Sequence, residues 1–318
     1  MNAGRDRLRI LVMRPGALGD FIITLPLLAA LRRRCPDSTT ELMASPSFAE
    51  LLDGQGLIDA AWSIDRAEMS GLFMPDGAAP ASARRFFSQF ALVVSLWRDA
   101  DGRIAAALQR YVPRVVAIEP LPDATSRRHA AEQILERAVA AGLVEAGEAD
   151  CSLPTLKPPE RHLAVARSLL AAASPPRLAV HPGSGSPAKN WPADRFAAVV
   201  HALHRCGASV VLIEGPADAE AAATFRTAIG DMPFVELRSQ PLPVLAAALS
   251  LCWRYVGNDS GISHLAAAVG LAGVAVFGPS SPDHWRPCSP LMRVVRAEDS
   301  LIARVSTDMV LQALGESP

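Results

Sequence analysis

The sequence predicts an α/β protein of two Rossmann-like, doubly wound parallel-sheet domains facing across a cleft. Three observations carry this. The chain has 318 residues, more than one ordinary domain needs. Strand-like apolar runs alternate with amphipathic helical runs, the pattern of parallel strands whose connecting helices cross back over the sheet. The two halves also open alike, a weak internal repeat. In the first, the run Arg9–Met13 leads into the loop RPGALGD and a helix over residues 21–34. In the second, LAVHP from Leu178 leads into GSGSPAKNW and a helix over 192–206, with Gly207 as its stop.

The remaining elements follow in order. TELMA from Thr40 reads as the second strand, with further strands over 91–97 and 112–118. Pro154, Pro158, Pro159, Pro175 and Pro176 then bracket a helix over 161–173, where a hinge is expected. The domains accordingly divide as 1–155 and 156–318. The second continues with ASVVLIE from Ala208, Phe234–Arg238, a strand over 274–277 and Met292–Arg296. A last helix over Thr307–Leu314 can pack on either domain.

Composition narrows the function. Half of the residues are hydrophobic and only 5% aromatic, so the cores are aliphatic layers of helix on sheet. A formal net charge of -1 supplies no global pull toward nucleic acid, and no nucleic-acid partner is expected. Local basic clusters stand at Arg32 to Arg34, at Arg84 and Arg85, and at Arg127 and Arg128. Each can meet phosphate or an anionic surface, although a solvated helix end is the simpler reading. The five cysteines (35, 151, 206, 252 and 288) are scattered without Cys-x-x-Cys spacing, so neither a metal site nor a disulfide framework follows. With an N-terminus that lacks a signal peptide's apolar region, this suits a cytoplasmic protein. The apolar stretch over 21–31 is too short to span a bilayer, which leaves peripheral contact with the inner face of the cytoplasmic membrane open.

Three loops can carry chemistry, because ligands of open parallel sheets bind beyond the carboxyl ends of the strands. In HPGSGSPAKNWP, residues 181–192, glycines and small side chains let backbone N–H groups approach an anion, and Lys189 adds a full charge. It is not a P-loop, since no Gly-Lys-Ser or Gly-Lys-Thr follows. In VGNDSGISHLAAAVG, residues 256–270, Asp259 or Ser260 reads as an N-cap for a helix from Ile262. Gly257, Gly261 and His264 beside them suit a diphosphate. In PGALGD, residues 15–20, Gly16 and Gly19 lack the third glycine of a dinucleotide fingerprint. Asp20 reads equally as a helix N-cap and as a general base at the edge of the first strand.

Taken together, these loops resemble family 9 glycosyltransferases, the ADP-heptose:lipopolysaccharide heptosyltransferases. The resemblance runs in order through ILVMRPGALGDFIITLPLLAALRRRCPD, HPGSGSPAKNWPADRF, GNDSGISHLAAAVG and VAVFGPSSPDHWRP. It implies the GT-B architecture, with the acceptor mainly on the first domain and the nucleotide sugar mainly on the second. It also implies Asp20 as the base that deprotonates the acceptor hydroxyl, and Lys189 beside the departing diphosphate. Asp259, Ser260, Gly261 and His264 then bind the donor, Ser184 and Gly185 lie in the loop beside it, and Glu214 bonds the ribose. The pattern requires no metal and no cofactor; ADP-heptose is the cosubstrate and a lipopolysaccharide glycolipid the expected acceptor.

Residues 66–130 match no family motif and form the expected acceptor region. There the loop MSGLFMPDGAAPASARR sets Leu72, Phe73 and Met74 where they can touch a membrane, a plain surface loop being the simpler reading, and Arg127 and Arg128 can hold a phosphorylated acceptor. Three other readings fit such a scaffold: a sugar-nucleotide epimerase, a noncatalytic sugar-nucleotide-binding module, and a nicotinamide oxidoreductase. The incomplete fingerprint at RPGALGD disfavours the last.

Overall fold

In the computed structural model the described residues are 7–74 and 80–315. The N-terminal hexapeptide and the PDGAA part of the expected acceptor loop lie outside them. The chain groups into two compact units, Met1–Ala17 with Thr24–Pro154, and Leu18–Ile23 with Thr155–Pro318. Residues 18–23 thus pack with the second half of the chain.

The helix expected over 21–34 is in fact two, α1 (Leu18–Ile23) and α2 (Leu25–Arg34). Pro26 causes the break. It has no N–H to offer the Ile22 carbonyl, and its ring would crowd that oxygen, so the helix restarts with proline in its first turn. The first unit then runs through β1 (Arg9–Met13), β2 (Thr39–Ala44), α3 (Pro46–Ala49), β3 (Ala60–Ser63), α4 (Ala81–Phe87), β4 (Leu92–Ser95), α5 (Arg103–Gln109), β5 (Arg114–Ala117) and α6 (Ala130–Ala140). Its five strands are all parallel in the order β3-β2-β1-β4-β5. The sequence reading omits β3, whose short AAWS segment is only half-buried at the sheet edge.

Four arginines of the basic clusters are paired within this unit. Arg32 forks onto Asp59 at 2.7 and 3.1 Å, Arg33 donates to the Glu148 carbonyl, and Arg34 meets Glu145. Arg128 pairs with Glu132 and Glu136. Leu72 corrects another expectation. It is 4% exposed within the core around Phe87 and Phe90, so of the three residues offered to a membrane only Phe73 and Met74 reach the surface.

The second unit opens with α7 (Glu160–Leu169) and β6 (Arg177–His181). It continues through α8 (Ala193–Arg205), β7 (Ser209–Glu214), α9 (Ala219–Ile229), β8 (Phe234–Arg238), α10 (Leu242–Ser250), β9 (Arg254–Asn258), α11 (Gly261–Ala268), β10 (Gly273–Phe277), α12 (Pro282–Trp285), β11 (Met292–Arg296) and α13 (Thr307–Leu314). Its six parallel strands lie in the order β11-β10-β9-β6-β7-β8. Counted from β6, this is the same 3-2-1-4-5 order as the first unit with one strand added, so the repeated opening of the two halves marks a repeated topology. The last helix, left between two domains by the sequence, packs against α8, β10 and β11. Among the described residues, no helix is long and apolar enough to cross a membrane.

Strand order positions the site. In the second unit the winding reverses between β6 and β9, so the connections leaving their carboxyl ends run to opposite faces and open a crevice at the sheet edge. Residues 182–192 follow β6 there, and Asp259 and Ser260 follow β9.

Candidate active site

The strand β9 is a correction to the sequence reading, which treated residues from 256 as loop. Val256, Gly257 and Asn258 are its last three residues and are buried in the sheet centre. With only two bulky apolar residues in RYVGN, the run lacks the signal of its neighbours. Asn258 is the residue the sequence reading undervalued. Wholly buried, its Nδ2 donates to the carbonyls of Pro182 and Gly183 at 2.8 and 3.2 Å, and its Oδ1 accepts from the Trp191 N–H at 3.0 Å. One amide thus fastens both ends of the loop that carries Lys189. Trp191, 2% exposed, secures the far end by donating Nε1 to the Val305 carbonyl and packing edge-on against Phe196.

Asn258→Ala is expected to leave those groups without their buried partner at a cost of about 1–3 kcal/mol. Urea unfolding measures the loss, and faster hydrogen exchange at the Trp191 amide checks its location.

Lys189 ends a short 3₁₀ turn, and its Nζ lies 2.7 Å from Asp259 Oδ2. Asp259 is 7% exposed and also accepts a hydrogen bond from the Ser280 hydroxyl. The two loops singled out in sequence are therefore joined by an ion pair. Ser260 is the N-cap of α11, as one of the two alternatives had it, accepting from the Ser263 N–H at 3.4 Å. The first-turn N–H groups of α11 and the ammonium of Lys189 supply adjacent positive potential.

The first turn of α1 joins this cluster within the same unit. A Cβ on Gly261 would sit 2.9 Å from Leu18 Cβ and 3.1 Å from the Gly19 nitrogen; one on Gly19 would sit 3.1 Å from His264 Cδ2. Two glycines thus let α1 and α11 touch backbone to backbone, and the buried His264 packs at their junction. Asp20 follows Gly19 as the third residue of α1. Since the helix starts two residues before it, Asp20 is no N-cap, and its half-buried carboxyl stands in the first turn. Gly16, at φ 117°, belongs to the first unit, beyond the end of β1.

Ser184 and Gly185 line a cavity of about 310 Å³ with Asn190, Asp218, Glu220 and Thr224. The Ser184 hydroxyl lies 2.6 Å from the Ser186 carbonyl and 2.7 Å from Asn190 Oδ1, an arrangement that braces the loop. Glu214, expected at the ribose, is buried with its carboxylate engaged by Arg226 and, at 3.5 Å, by Arg238. The exposed acid on the cavity wall is Glu220, in the first turn of α9, which the sequence reading passed over.

His181 and Asp218 were also missed. His181, the last residue of β6, places Nε2 2.9 Å from Asp218 Oδ2 and Nδ1 3.2 Å from Ser260 Oγ. Burial acts to raise the Asp218 carboxyl. The hydrogen bond from His181, with that from the Gly215 N–H, acts against this, and the carboxyl is held below the ordinary carboxylate range. Its contribution to stability is therefore present above about pH 3.9 and lost as pH falls through its lower folded value.

The chain matches the family model of glycosyltransferase family 9 (heptosyltransferase) over residues 126–313. It is 34% identical over 126 residues to lipopolysaccharide heptosyltransferase 2 of Salmonella typhimurium, an alignment covering 38% of this chain and 36% of that relative. Two solved structures share its fold. The glycosyl transferase family 9 protein from Veillonella parvula superposes with a TM-score of 0.80 at 21% identity, covering 98% of each chain. E. coli ADP-heptose lps heptosyltransferase II superposes with a TM-score of 0.79 at 22% identity, covering 96% of this chain and 97% of that one. The fold is thus that of these proteins, two Rossmann-like units of the GT-B class. With its family model matched over more than half its length, the chain belongs to glycosyltransferase family 9.

Proposed function

We propose that this chain is an inverting glycosyltransferase that moves heptose from ADP-heptose to a lipopolysaccharide inner-core or related glycolipid acceptor. The observation that carries the reading is the convergence of three loops: the Lys189 to Asp259 ion pair, the capped first turn of α11, and the first turn of α1 bearing Asp20. An anion site and a carboxylate on adjoining helix starts suit displacement of a diphosphate by a hydroxyl. Asp20 takes the acceptor proton as the oxygen attacks the anomeric carbon, and the bond to the β-phosphate oxygen breaks on the opposite face. Charge gathering on that oxygen meets Lys189 and the N–H groups of α11. Donor contacts fall to Asp259, Ser260, Gly261 and His264, with the Ser184 and Gly185 wall beside the nucleoside. No metal or cofactor enters this scheme.

For the ribose, Glu220 is the better placed acid, since the Glu214 carboxylate already serves two arginines. Glu220→Ala is expected to raise the donor KM about ten- to a hundredfold, the worth of one hydrogen bond to a charged group, with little change in kcat. Steady-state kinetics with varied donor checks this; an unchanged KM removes Glu220 from the site.

The whole reading is tested by incubating the protein with ADP-heptose, with and without deacylated inner-core acceptor. Release of ADP that depends on acceptor, with a glycosylated product of inverted anomeric configuration, is the expected result. Altered sugar without acceptor would instead show an epimerase, and stabilisation by donor without any product would show a binding module.

A further inference from the structure

We propose that His181, held by Asp218, is a positioning residue that sets the direction of the Ser260 hydroxyl and takes up one proton when a nucleoside diphosphate binds at the first turn of α11. The inference rests on the donor-binding reading above. Asp218 Oδ2 faces two groups, the Gly215 N–H at 2.9 Å and His181 Nε2 at 2.9 Å. A carboxylate only accepts, so Nε2 carries a hydrogen. In a neutral ring Nδ1 is then an acceptor, and the Ser260 hydroxyl, 3.2 Å away, donates to it. The neighbouring hydroxyls offer no substitute. Ser263 donates to the Asn258 carbonyl at 2.5 Å, and Tyr255 donates to Ser263 Oγ at 2.9 Å.

With no anion present, the single hydroxyl proton of Ser260 therefore points inward. A phosphate oxygen beside the helix start also accepts only, and Ser260 can serve it only by turning that proton outward. Nδ1 then faces an oxygen lone pair, which is satisfied when Nδ1 is itself protonated. The resulting imidazolium lies between the Asp218 carboxylate and the bound anion, and both favour its charge. The proton comes from solvent.

The arrangement is built tightly. A Cβ on Gly183 would fall 2.1 Å from Asp218 Oδ1, and one on Gly215 would fall 2.7 Å from Oδ2, so the carboxylate is walled in by two glycines. His181 is 2% exposed, with no room to turn its ring toward water. Other titratable groups stand on the elements packed around it. Tyr255 on β9 is pushed up by burial and keeps its proton. Glu214, ending β7, is held by its two arginines, and Asp259, just after β9, is paired with Lys189. His264 on α11 is the group from which the His181 signal must be resolved.

The test is nitrogen NMR of the imidazole rings in the full chain, with ADP alone as the probe. Through-bond correlation to the backbone assigns His181 without any variant. At about pH 7.5, above the second ionisation of a terminal phosphate near pH 6, the free protein should show His181 as the neutral Nε2–H tautomer. Saturation with ADP should convert it to imidazolium. Calorimetry in buffers of different ionisation enthalpy should then find uptake of up to one proton per ADP, and ADP should bind up to about tenfold more weakly per unit rise in pH. His181→Gln should abolish both effects while ADP still binds. A ring that stays neutral while ADP binds overturns the proposal, as does uptake confined to His264. Failure of ADP to bind at all overturns the donor-binding reading and this inference with it.

Discussion

Asp20→Asn is expected to lower the transfer rate about a hundred- to ten-thousandfold while leaving donor affinity and melting temperature close to those of the native protein. The amide has nearly the size of the carboxyl, so the packing of α1 on α11 through Gly19 and Gly261 is undisturbed. Only the carboxylate can accept the acceptor proton. The position of Asp20 sharpens this experiment. As the third residue of α1 it is not an N-cap, and a negative charge in a helix's first turn is worth about 0.3–1 kcal/mol. A residue valued for that charge would, as Asn, show a small drop in melting temperature and normal transfer. A general base shows the reverse. Rates at saturating donor and acceptor, beside a donor titration on the same preparation, distinguish them; near-native transfer by the Asn variant would remove Asp20 from catalysis.

Lys189→Ala is expected to reduce kcat about a hundred- to a thousandfold, corresponding to about 3–4 kcal/mol of lost transition-state stabilisation. Unlike the first substitution, this one also touches stability, because Asp259 would keep its Ser280 hydrogen bond but lose its cation. The Lys189 side chain is 34% exposed, so the loss should be modest, about 1 kcal/mol. The disproportion between the two effects is the diagnostic. Lys189→Arg should restore the ion pair and stability but only part of kcat, since a planar fork does not reproduce a compact ammonium. A native kcat in the alanine variant would assign Lys189 to structure alone.

Sequence legibility followed pattern strength. The strands MRVVR and FVELR lie where their apolar runs set them, and the helix at Thr307–Leu314 buries Val310 and Leu314 on one face. The same reasoning failed at β9, whose RYVGN is held by pairing to β6 and β10 on both sides, and at β3, a four-residue edge. It also ran two helices into one across Pro26, because an apolar stripe can continue through a break in the hydrogen-bond ladder.

By itself, then, the sequence determined the α/β class, the repeated β-loop-helix openings, and the three loops on which Asp20, Lys189 and Asp259 to His264 lie. Each of these is written in local patterns of glycine, charge and periodicity. Tertiary structure decided which distant residues meet. It paired Lys189 with Asp259 across 70 positions and His181 with Asp218 across 37. It set Asn258 to fasten a loop that begins 76 residues earlier, and it turned Glu214 toward arginines while leaving Glu220 on the cavity wall. Such partnerships arise where strand order brings β6 beside β9, and strand order depends on the packing of whole helices over the sheet, which no local stretch of sequence encodes.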